Sequence, residues 1–366
     1  MHLAVVDCEP TACYLLGAFS RTARTIAAVH RHLRLIQRCL PGLLLLAVVA
    51  LGACAGPFPQ TTLHPKSDLG FAIDHLFTGI FGWAVGVFVV VEGLLVYALF
   101  RFRAKPGAPA PHPTHGHTAL EIAWTLAPVL ILVMVAVPTI RTIFSTQAPA
   151  PAGSLKIEVI GHQWWWEYRY PDQGVVTANE LHIPVGRTIA LDMTSNDVIH
   201  SFWIPAIAAK RDVVPGHVNH IVFKADTVGE YMGQCAEFCG DSHANMRLRA
   251  FVETDSAFNA WVANQKQPPV EPQPNTLQAT GKNDFAHGAC IACHTIQGVS
   301  AGMIGPNLTH LASRTTIAGA TYPDDSLDLV LWVNHAPQRK PGSVMMDMNL
   351  QPADLQAIVA YLMSLK

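Results

Sequence analysis

The sequence has few charged residues and no recognisable machinery for nucleotide or covalent catalysis. Charged residues make up 14% of its 366 positions and hydrophobic residues 50%, a balance too apolar for an ordinary soluble protein of this size. The formal net charge of -2 gives no electrostatic reason to expect nucleic acid as a partner. The chain has no glycine-rich phosphate loop and no visible equivalent of a hydrolase or transferase nucleophile. We therefore look for membrane-spanning segments and metal-binding residues.

Cysteines are missing from most of the chain and fall into three groups. Four of the eight lie in the first 54 residues, and the other four form two close pairs. The early ones are Cys8, Cys13, Cys39 and Cys54, and the pairs are Cys235 with Cys239 and Cys290 with Cys293. The body of the protein has no spare cysteine for a disulfide, so we expect metal or cofactor chemistry to account for both pairs.

The first 53 residues are predicted to be a leader. A basic stretch precedes the apolar run Leu40–Ala53, which is shorter than the roughly 20 residues of a membrane span and is typical of a signal-peptide core. The segment Leu51–Cys54 reads L-G-A-C and resembles a bacterial lipobox, so we expect Cys54 to be lipidated. A plain signal peptide with an incidental cysteine and an uncleaved helix remain the alternatives.

Two longer apolar runs, Phe71–Phe100 and Ala119–Ile143, predict a transmembrane helix hairpin within residues 65–145. Each exceeds the roughly 20 residues that cross the hydrocarbon core. The basic segment Arg101–Lys105 between them belongs in the cytoplasm by the positive-inside rule. The chain beyond residue 145 then lies on the outer, periplasmic side of a bacterial inner membrane.

Residues 150–264 have the pattern of a β-sandwich or barrel and contain a cluster of soft ligands. The segment that begins at Leu155, L-K-I-E-V-I-G, alternates apolar and polar residues, and later segments repeat this between glycines and prolines. The run from Cys235 to Met246 reads C-A-E-F-C-G-D-S-H-A-N-M. Thiolate, thioether and imidazole ligands select copper, and two close cysteines can bridge two copper ions. His200 is the candidate for a further imidazole.

Two other metal sites fit part of this cluster. A mononuclear blue copper site uses one cysteine, two histidines and an axial methionine, so the second cysteine of C-x-E-x-C argues against it. A zinc site fits a count of two cysteines and two histidines but has no use for Met246.

A proline-rich polar segment, residues 265–276, predicts a semi-rigid linker to a further domain, residues 277–366. There C-I-A-C-H, from Cys290 to His294, is the pattern of a c-type haem attachment site, in which both cysteines bond the porphyrin and His294 binds iron. A methionine is expected as the sixth ligand. Apolar residues at helical spacing after Pro352 predict a C-terminal helix packed over the haem.

From about residue 65 to the C-terminus, these motifs resemble subunit II of the cytochrome c oxidases, in the fused caa-type form that carries its own cytochrome c. The resemblance implies a multidomain membrane protein with a two-helix transmembrane hairpin, an all-β cupredoxin-like Greek-key sandwich and an all-α c-type cytochrome domain. It also implies a binuclear copper A centre with two copper ions. Its ligands would be the side chains of His200, Cys235, Cys239, His243 and Met246, with the backbone carbonyl of Glu237.

The same resemblance suggests an axial haem ligand. Family members show K-P-G-x-x-M-P, and alignment on Lys340–Gly342 selects Met345. Here Met346 stands where the family has proline, and Met348 follows closely. All three methionines therefore remain candidates, with Met345 preferred.

Three further roles are implied by the family. The carboxylate of Glu237 would help to bind magnesium at the interface with subunit I, where the alternative is a solvated loop residue. Glu121, in L-E-I-A-W-T-L-A-P, would form the mouth of a proton channel into subunit I, and snorkelling to the interface is the alternative. Trp164, within the cluster W-W-W on a predicted strand, would accept electrons from cytochrome c, and core packing is its alternative.

The predicted function is that of an oxidase subunit that passes electrons from the fused haem through copper A to subunit I, which reduces oxygen to water and pumps protons. Expected partners are subunits I and III, membrane lipid, and an external donor such as a cytochrome c or a cytochrome c reductase complex. A quinol oxidase subunit II lacks the copper ligands, and the hairpin does not fit a nitrous oxide reductase. A membrane-tethered copper and haem carrier outside any oxidase would not need Glu121 and Glu237.

Overall fold

The computed structural model describes residues 58–366, except 105, 106, 108, 110, 111 and 114, together with scattered helical positions between 40 and 52. The predictions for the leader, the lipobox and Cys54 lie outside the described residues. Residues 59–366 form one compact unit.

Two long apolar helices open this unit, α1 at Asp68–Arg101 and α2 at Thr118–Thr146. At 1.5 Å per residue, their 34 and 29 residues extend about 50 and 44 Å, enough to cross a membrane. The Ser67 side chain caps α1 by accepting from the Gly70 amide at 2.9 Å. Their apolar side chains are mostly exposed, as expected for lipid-facing helices. The predicted hairpin is confirmed, with each helix a few residues longer than its apolar run.

Two five-stranded sheets follow and pack face to face. The first has the order β3-β2-β1-β5-β8 and the second β4-β10-β9-β6-β7. The first sheet consists of β1 Leu155–His162, β2 Trp165–Tyr170, β3 Val175–Ala178, β5 Thr188–Ser195 and β8 Asn219–Lys224. The second consists of β4 Glu180–Pro184, β6 His200–Ile204, β7 Ala208–Val213, β9 Gly229–Cys235 and β10 Arg247–Glu253. Each segment that alternated in the sequence is a strand here.

The core of the sandwich lies between the two sheets and is rich in aromatic side chains. Trp166 meets Phe202 edge to face at 5.4 Å, and Tyr168 meets the same ring at 6.5 Å. All three side chains are fully buried. Helix α3, Asp255–Gln265, closes the domain by packing Phe258 and Trp261 against Tyr170. This rigid frame holds the loops at one end of the sandwich.

The C-terminal domain is helical. Helices α4 Leu277–His287, α5 Ser326–Arg339 and α6 Pro352–Leu362 surround a core of their own. The short ladders β11–β12 (Thr295–Ile296, Ser300–Ala301) and β13–β14 (Thr316–Ile317, Tyr322–Pro323) lie between α4 and α5. Helix α6 confirms the predicted C-terminal helix, and its apolar stripe is buried. The proline-rich segment predicted as a linker is irregular between α3 and α4.

Candidate metal and haem sites

The candidate copper ligands converge at one end of the second sheet. His200 begins β6 and Cys235 ends β9, and the antiparallel pairing of these strands, Phe202 with Cys235, brings the two together. The loop between β9 and β10 carries Cys239 and His243, and Met246 stands just before β10. Long-range strand pairing thus joins His200 to a cluster that is otherwise local in sequence.

The ligand atoms lie within a few ångströms of one another. The two thiol sulfurs are 3.8 Å apart, and Cys235 Sγ lies 3.9 Å from His200 Nδ1. Cys239 Sγ lies 3.5 Å from His243 Nδ1 and 3.9 Å from Met246 Sδ. His200, both cysteines and Met246 are buried. The carbonyl of Glu237 faces Cys235 Sγ at 3.2 Å, which fits its expected role as a backbone ligand.

The two thiols are electrostatically coupled in a way that suits a cation between them. Contact with the Cys239 sulfur and with the His200 imidazole lowers the pKa of the Cys235 thiol despite its burial. That neighbouring sulfur and burial both raise the pKa of Cys239. The pair therefore loses its first proton easily and its second with difficulty, and nearby positive charge would favour the second thiolate. Two soft sulfurs, two imidazoles and a thioether fit copper.

The structure also places residues beside the copper ligands that the sequence motifs did not identify. The carboxylate of Asp197 accepts from His200 Nε2 at 2.8 Å and from the Gln163 amide at 2.6 Å, so it turns His200 Nδ1 towards the sulfurs. The side chains of Gln163 and Trp164 both donate to the carbonyl of Cys239, at 2.7 and 3.0 Å. Only the weak signal of an acid three residues before His200 could have pointed to Asp197.

Trp164 corrects one detail of the sequence prediction. It lies in the turn between β1 and β2, outside the strand on which it was predicted. The reason is that the hairpin reverses at Gln163 and Trp164, and β2 begins at Trp165. Trp164 is buried, at 7% exposure, and Trp166 lies in the core, whereas the half-buried Trp165 stacks on His162 at 4.2 Å.

The helical domain positions a second group of predicted residues. Cys290 lies in a short 3-10 turn, Ala289–Ala292, and Cys293 directly follows it. His294 Nδ1 donates to the Pro306 carbonyl at 2.9 Å, which leaves Nε2 free for iron. Burial lowers the pKa of His294 and keeps its imidazole neutral, as a metal ligand requires. These features fit a covalently attached haem.

A cavity of about 510 Å³ lies beside these residues, a size suited to a large cofactor. Its lining includes Cys290, Cys293 and His294 together with all three candidate methionines. Met346 is 63% exposed, whereas Met345 and Met348 are partly buried against the domain core. Trp164 and Trp165 of the sandwich also line the cavity, so the cavity is bordered by both the sandwich and the helical domain.

Comparison with known proteins agrees with this geometry. Three sequence families match: "Cytochrome C oxidase subunit II, transmembrane domain" at residues 66–142, "Cytochrome C oxidase subunit II, periplasmic domain" at 173–252, and "Cytochrome c" at 278–366. The cytochrome c oxidase subunit 2 of Alkalihalophilus pseudofirmus is 36% identical over 86% of this chain and 94% of its own length. The chain belongs to the cytochrome c oxidase subunit II family.

Other subunit II proteins match over most of the chain or over its periplasmic part alone. The cytochrome c oxidase subunit 2 of Bacillus subtilis is 28% identical over 92% of this chain and 98% of its own. A crystal structure of the periplasmic domain of subunit II from Bradyrhizobium japonicum is 36% identical over 32% of this chain and 97% of that one, with a TM-score of 0.31. The fusion with a cytochrome c domain marks this subunit II as one with both a copper and a haem region.

Membership of the subunit II family sets the wider context. The periplasmic-domain match implies copper A, the cytochrome c match implies haem, and the subunit associates with subunit I in the oxidase complex. The transmembrane match and the two apolar helices make the chain a membrane-anchored protein with an external C-terminal part. Glu121 lies exposed in the first turn of α2, and the Glu237 side chain is exposed on the ligand loop. Their predicted roles in proton uptake and magnesium binding stay predictions.

Proposed function

We propose that this chain is the electron-accepting subunit of a caa-type oxidase. It takes electrons from an external donor at its c-type haem and delivers them through binuclear copper to subunit I, where oxygen is reduced to water with proton pumping. A cytochrome c or a cytochrome c reductase complex is the proposed donor, and subunit III a further partner. The haem and copper regions lie on the periplasmic side of a bacterial inner membrane.

One observation carries this proposal: a single buried residue joins the two predicted cofactor regions. Trp164 lines the cavity beside the haem motif, and its indole donates to the carbonyl of Cys239 at 3.0 Å. A residue in contact with both regions is what a short electron path between them needs. The simpler interpretation, core packing, does not require Trp164 to line the cavity.

The chain's own residues hold and tune the two centres. The haem iron and the copper pair, when bound, each accept and release one electron. Cys290 and Cys293 would bond the porphyrin, and His294 and Met345 would bind its iron. His200, Cys235, Cys239, His243, Met246 and the Glu237 carbonyl would hold copper. Burial of His200, Cys235, Cys239 and Met246 keeps water away from these copper ligands and keeps their surroundings apolar, which limits rearrangement when charge moves.

Two carboxylates would connect the subunit to its neighbour. Glu237 offers a hard carboxylate oxygen beside a soft copper site, which suits magnesium at the boundary with subunit I. Glu121 lies in the first turn of α2, which the proposed topology puts at the cytoplasmic side, and an ionisable group in a membrane helix is a candidate functional residue. We propose proton uptake as that function.

The test is a pair of spectra, optical and EPR, of the oxidase. The complex is purified from membranes by capturing this chain, so that any subunit I bound to it is recovered as well. We expect a mixed-valence signal split by two equivalent coppers, beside a low-spin c-type haem, with subunit I co-purified. Cys239→Ser should remove the copper signal alone, and Cys290→Ser should disturb the haem alone. A single-copper signal at full copper loading would contradict the binuclear assignment. Both centres without subunit I would favour a tethered carrier.

A further inference from the structure

Two ionisable side chains are buried where the cytochrome c domain meets the sandwich. Lys340, at 3% exposure, follows α5 in the cytochrome c domain. Its Nζ donates to the carbonyl of Trp164 at 2.6 Å, across the domain boundary, and to the carbonyl of Ala318 at 2.8 Å within its own domain. A buried amine without such acceptors would be strongly destabilising, so this contact depends on the two domains being docked.

Glu180 makes the reciprocal contact from the sandwich. It begins β4 and is 2% exposed. Its Oε1 accepts from the amides of Thr315 and Thr316 at 2.8 and 3.0 Å and from their hydroxyls at 2.7 and 3.0 Å. Every one of these donors belongs to the cytochrome c domain. A carboxylate with four donors from the other domain is satisfied only when that domain is in place.

A third contact joins the two domains, because the loop that precedes Met345 packs on the copper-ligand loop. The hydroxyl of Ser242, next to His243, donates to the Pro341 carbonyl at 2.6 Å, and Ser242 is fully buried. Gly342 lies against Trp164 so closely that an added Cβ would come within 2.5 Å of the indole ring. The docked domain therefore covers Trp164.

We propose that Lys340 and Glu180 are positioning residues that hold the cytochrome c domain over Trp164, so that external donors reach the copper region only through the tethered haem. This rests on the proposed function. Domains joined by a linker usually move relative to each other unless the interface holds them. The tether supplies a high local concentration of the domain, and the two buried contacts select one orientation. Electron transfer rates fall steeply with distance, so orientation decides the rate.

The first measurement is hydrogen exchange in the purified oxidase. Lys340→Met and Glu180→Ala should raise exchange at the Thr315 and Thr316 amides at least tenfold. Amides inside helix α6 should keep their protection, because that helix lies in the domain's own core. Glu180→Gln, which keeps an acceptor oxygen, should have the smaller effect. Lys366→Met and Glu158→Ala, at exposed positions, are the matched controls.

The second measurement is the rate of electron transfer from haem to copper after photoreduction of the haem. We expect a fall of tenfold or more in Lys340→Met and Glu180→Ala, with unchanged haem and copper spectra. A reduced soluble cytochrome c should then gain a direct route to copper, seen as copper reduction that no longer follows haem reduction.

These results separate the proposal from the function on which it rests. Unchanged exchange at Thr315 and Thr316, or an unchanged transfer rate in variants with both spectra intact, would overturn the positioning role alone. If exchange rises throughout α6 in Glu180→Ala, that variant has lost its fold, and Lys340→Met and Glu180→Gln decide the positioning role instead. Absence of a copper signal from the unmodified oxidase would instead overturn the proposed function.

Discussion

The candidate copper ligands depend on residues that do not themselves bind metal. Asp197 holds His200 by its Nε2 atom, and it also accepts from the Gln163 amide. Side chains that orient a ligand in this way typically account for about 10- to 100-fold in metal affinity. We therefore predict that Asp197→Ala loses copper to a competing chelator at about 10- to 100-fold lower chelator concentration. Bound copper would be measured by EPR and elemental analysis.

The matched control for this change is Asp192→Ala. Asp192 also pairs with a histidine, His220 at 2.7 Å, but both are exposed on the first sheet. Exposed pairs of this kind contribute little, so copper affinity should not change. Equal copper retention in Asp197→Ala and the control would show that His200 is oriented without Asp197.

The axial haem ligand can be decided among three methionines. Burial favours Met345 and Met348 over the exposed Met346, and alignment of the K-P-G motif favours Met345. We predict that Met345→Leu abolishes the methionine-to-iron charge-transfer band of the ferric haem and lowers the haem potential, because methionine ligation raises that potential. Met346→Leu and Met348→Leu should keep the band. Its loss in Met348→Leu alone would transfer the role to Met348.

At the scale of elements, the crossing of α4 and α6 fixes the cytochrome c domain. Gly281 in α4 is buried, and an added Cβ would lie 1.8 Å from the Ala357 carbonyl in α6. Only glycine permits so close an approach between the two backbones. We predict that Gly281→Ala destabilises the domain by at least ~1–3 kcal/mol, the usual cost of overpacking. Thermal unfolding followed by haem absorbance would measure this.

Asn283→Ala is the control for that crossing, since Asn283 is exposed on the same helix. Alanine favours helices more than asparagine does, so this variant should be as stable as the parent or slightly more stable. If Gly281→Ala unfolds at the temperature of the control, the two helices do not cross as closely as described.

At the scale of the whole molecule, docking of the two domains should depend on pH. Burial lowers the pKa of Lys340 to about 7 from 10.5; the Cys239 sulfur opposes this and the Arg247 guanidinium adds to it. A neutral amine still has two N–H donors for the carbonyls of Trp164 and Ala318. Between about pH 7 and pH 10 the undocked state binds more protons, so docking strengthens as pH rises.

The expected change in the docking equilibrium is up to about tenfold per pH unit, because one pKa unit corresponds to about 1.4 kcal/mol. Exchange at the Thr315 and Thr316 amides, corrected for the intrinsic effect of pH, would report it. Lys340→Met should remove the dependence, and Lys366→Met should keep it. A parent protein with no dependence in this range would mean that Lys340 stays protonated in the docked state.

Local sequence was enough for the membrane hairpin, the strands and the two ligand motifs. Apolar length determines a membrane helix, and side-chain alternation determines a half-buried strand, so α1, α2 and the alternating strands β1, β5, β8 and β10 could be read directly. The two ligand motifs are short, at Cys235 to Met246 and at Cys290 to His294. Their ligand residues are close in sequence, so the motifs indicate copper and haem without the structure. The turn at Trp164 was missed because alternation alone does not show where a hairpin reverses.

Contacts between distant parts of the chain were decided only by the tertiary structure. Asp197 accepts from the backbone amide of Gln163 across 34 positions, and Glu180 meets Thr315 across 135 positions. Nothing in the spacing of Lys340 and Trp164 indicates that one donates to the other. The kinds of ligand follow from side-chain chemistry, which is known from the sequence. The docking of one domain on another depends on surface shape and burial, which exist only in the folded chain.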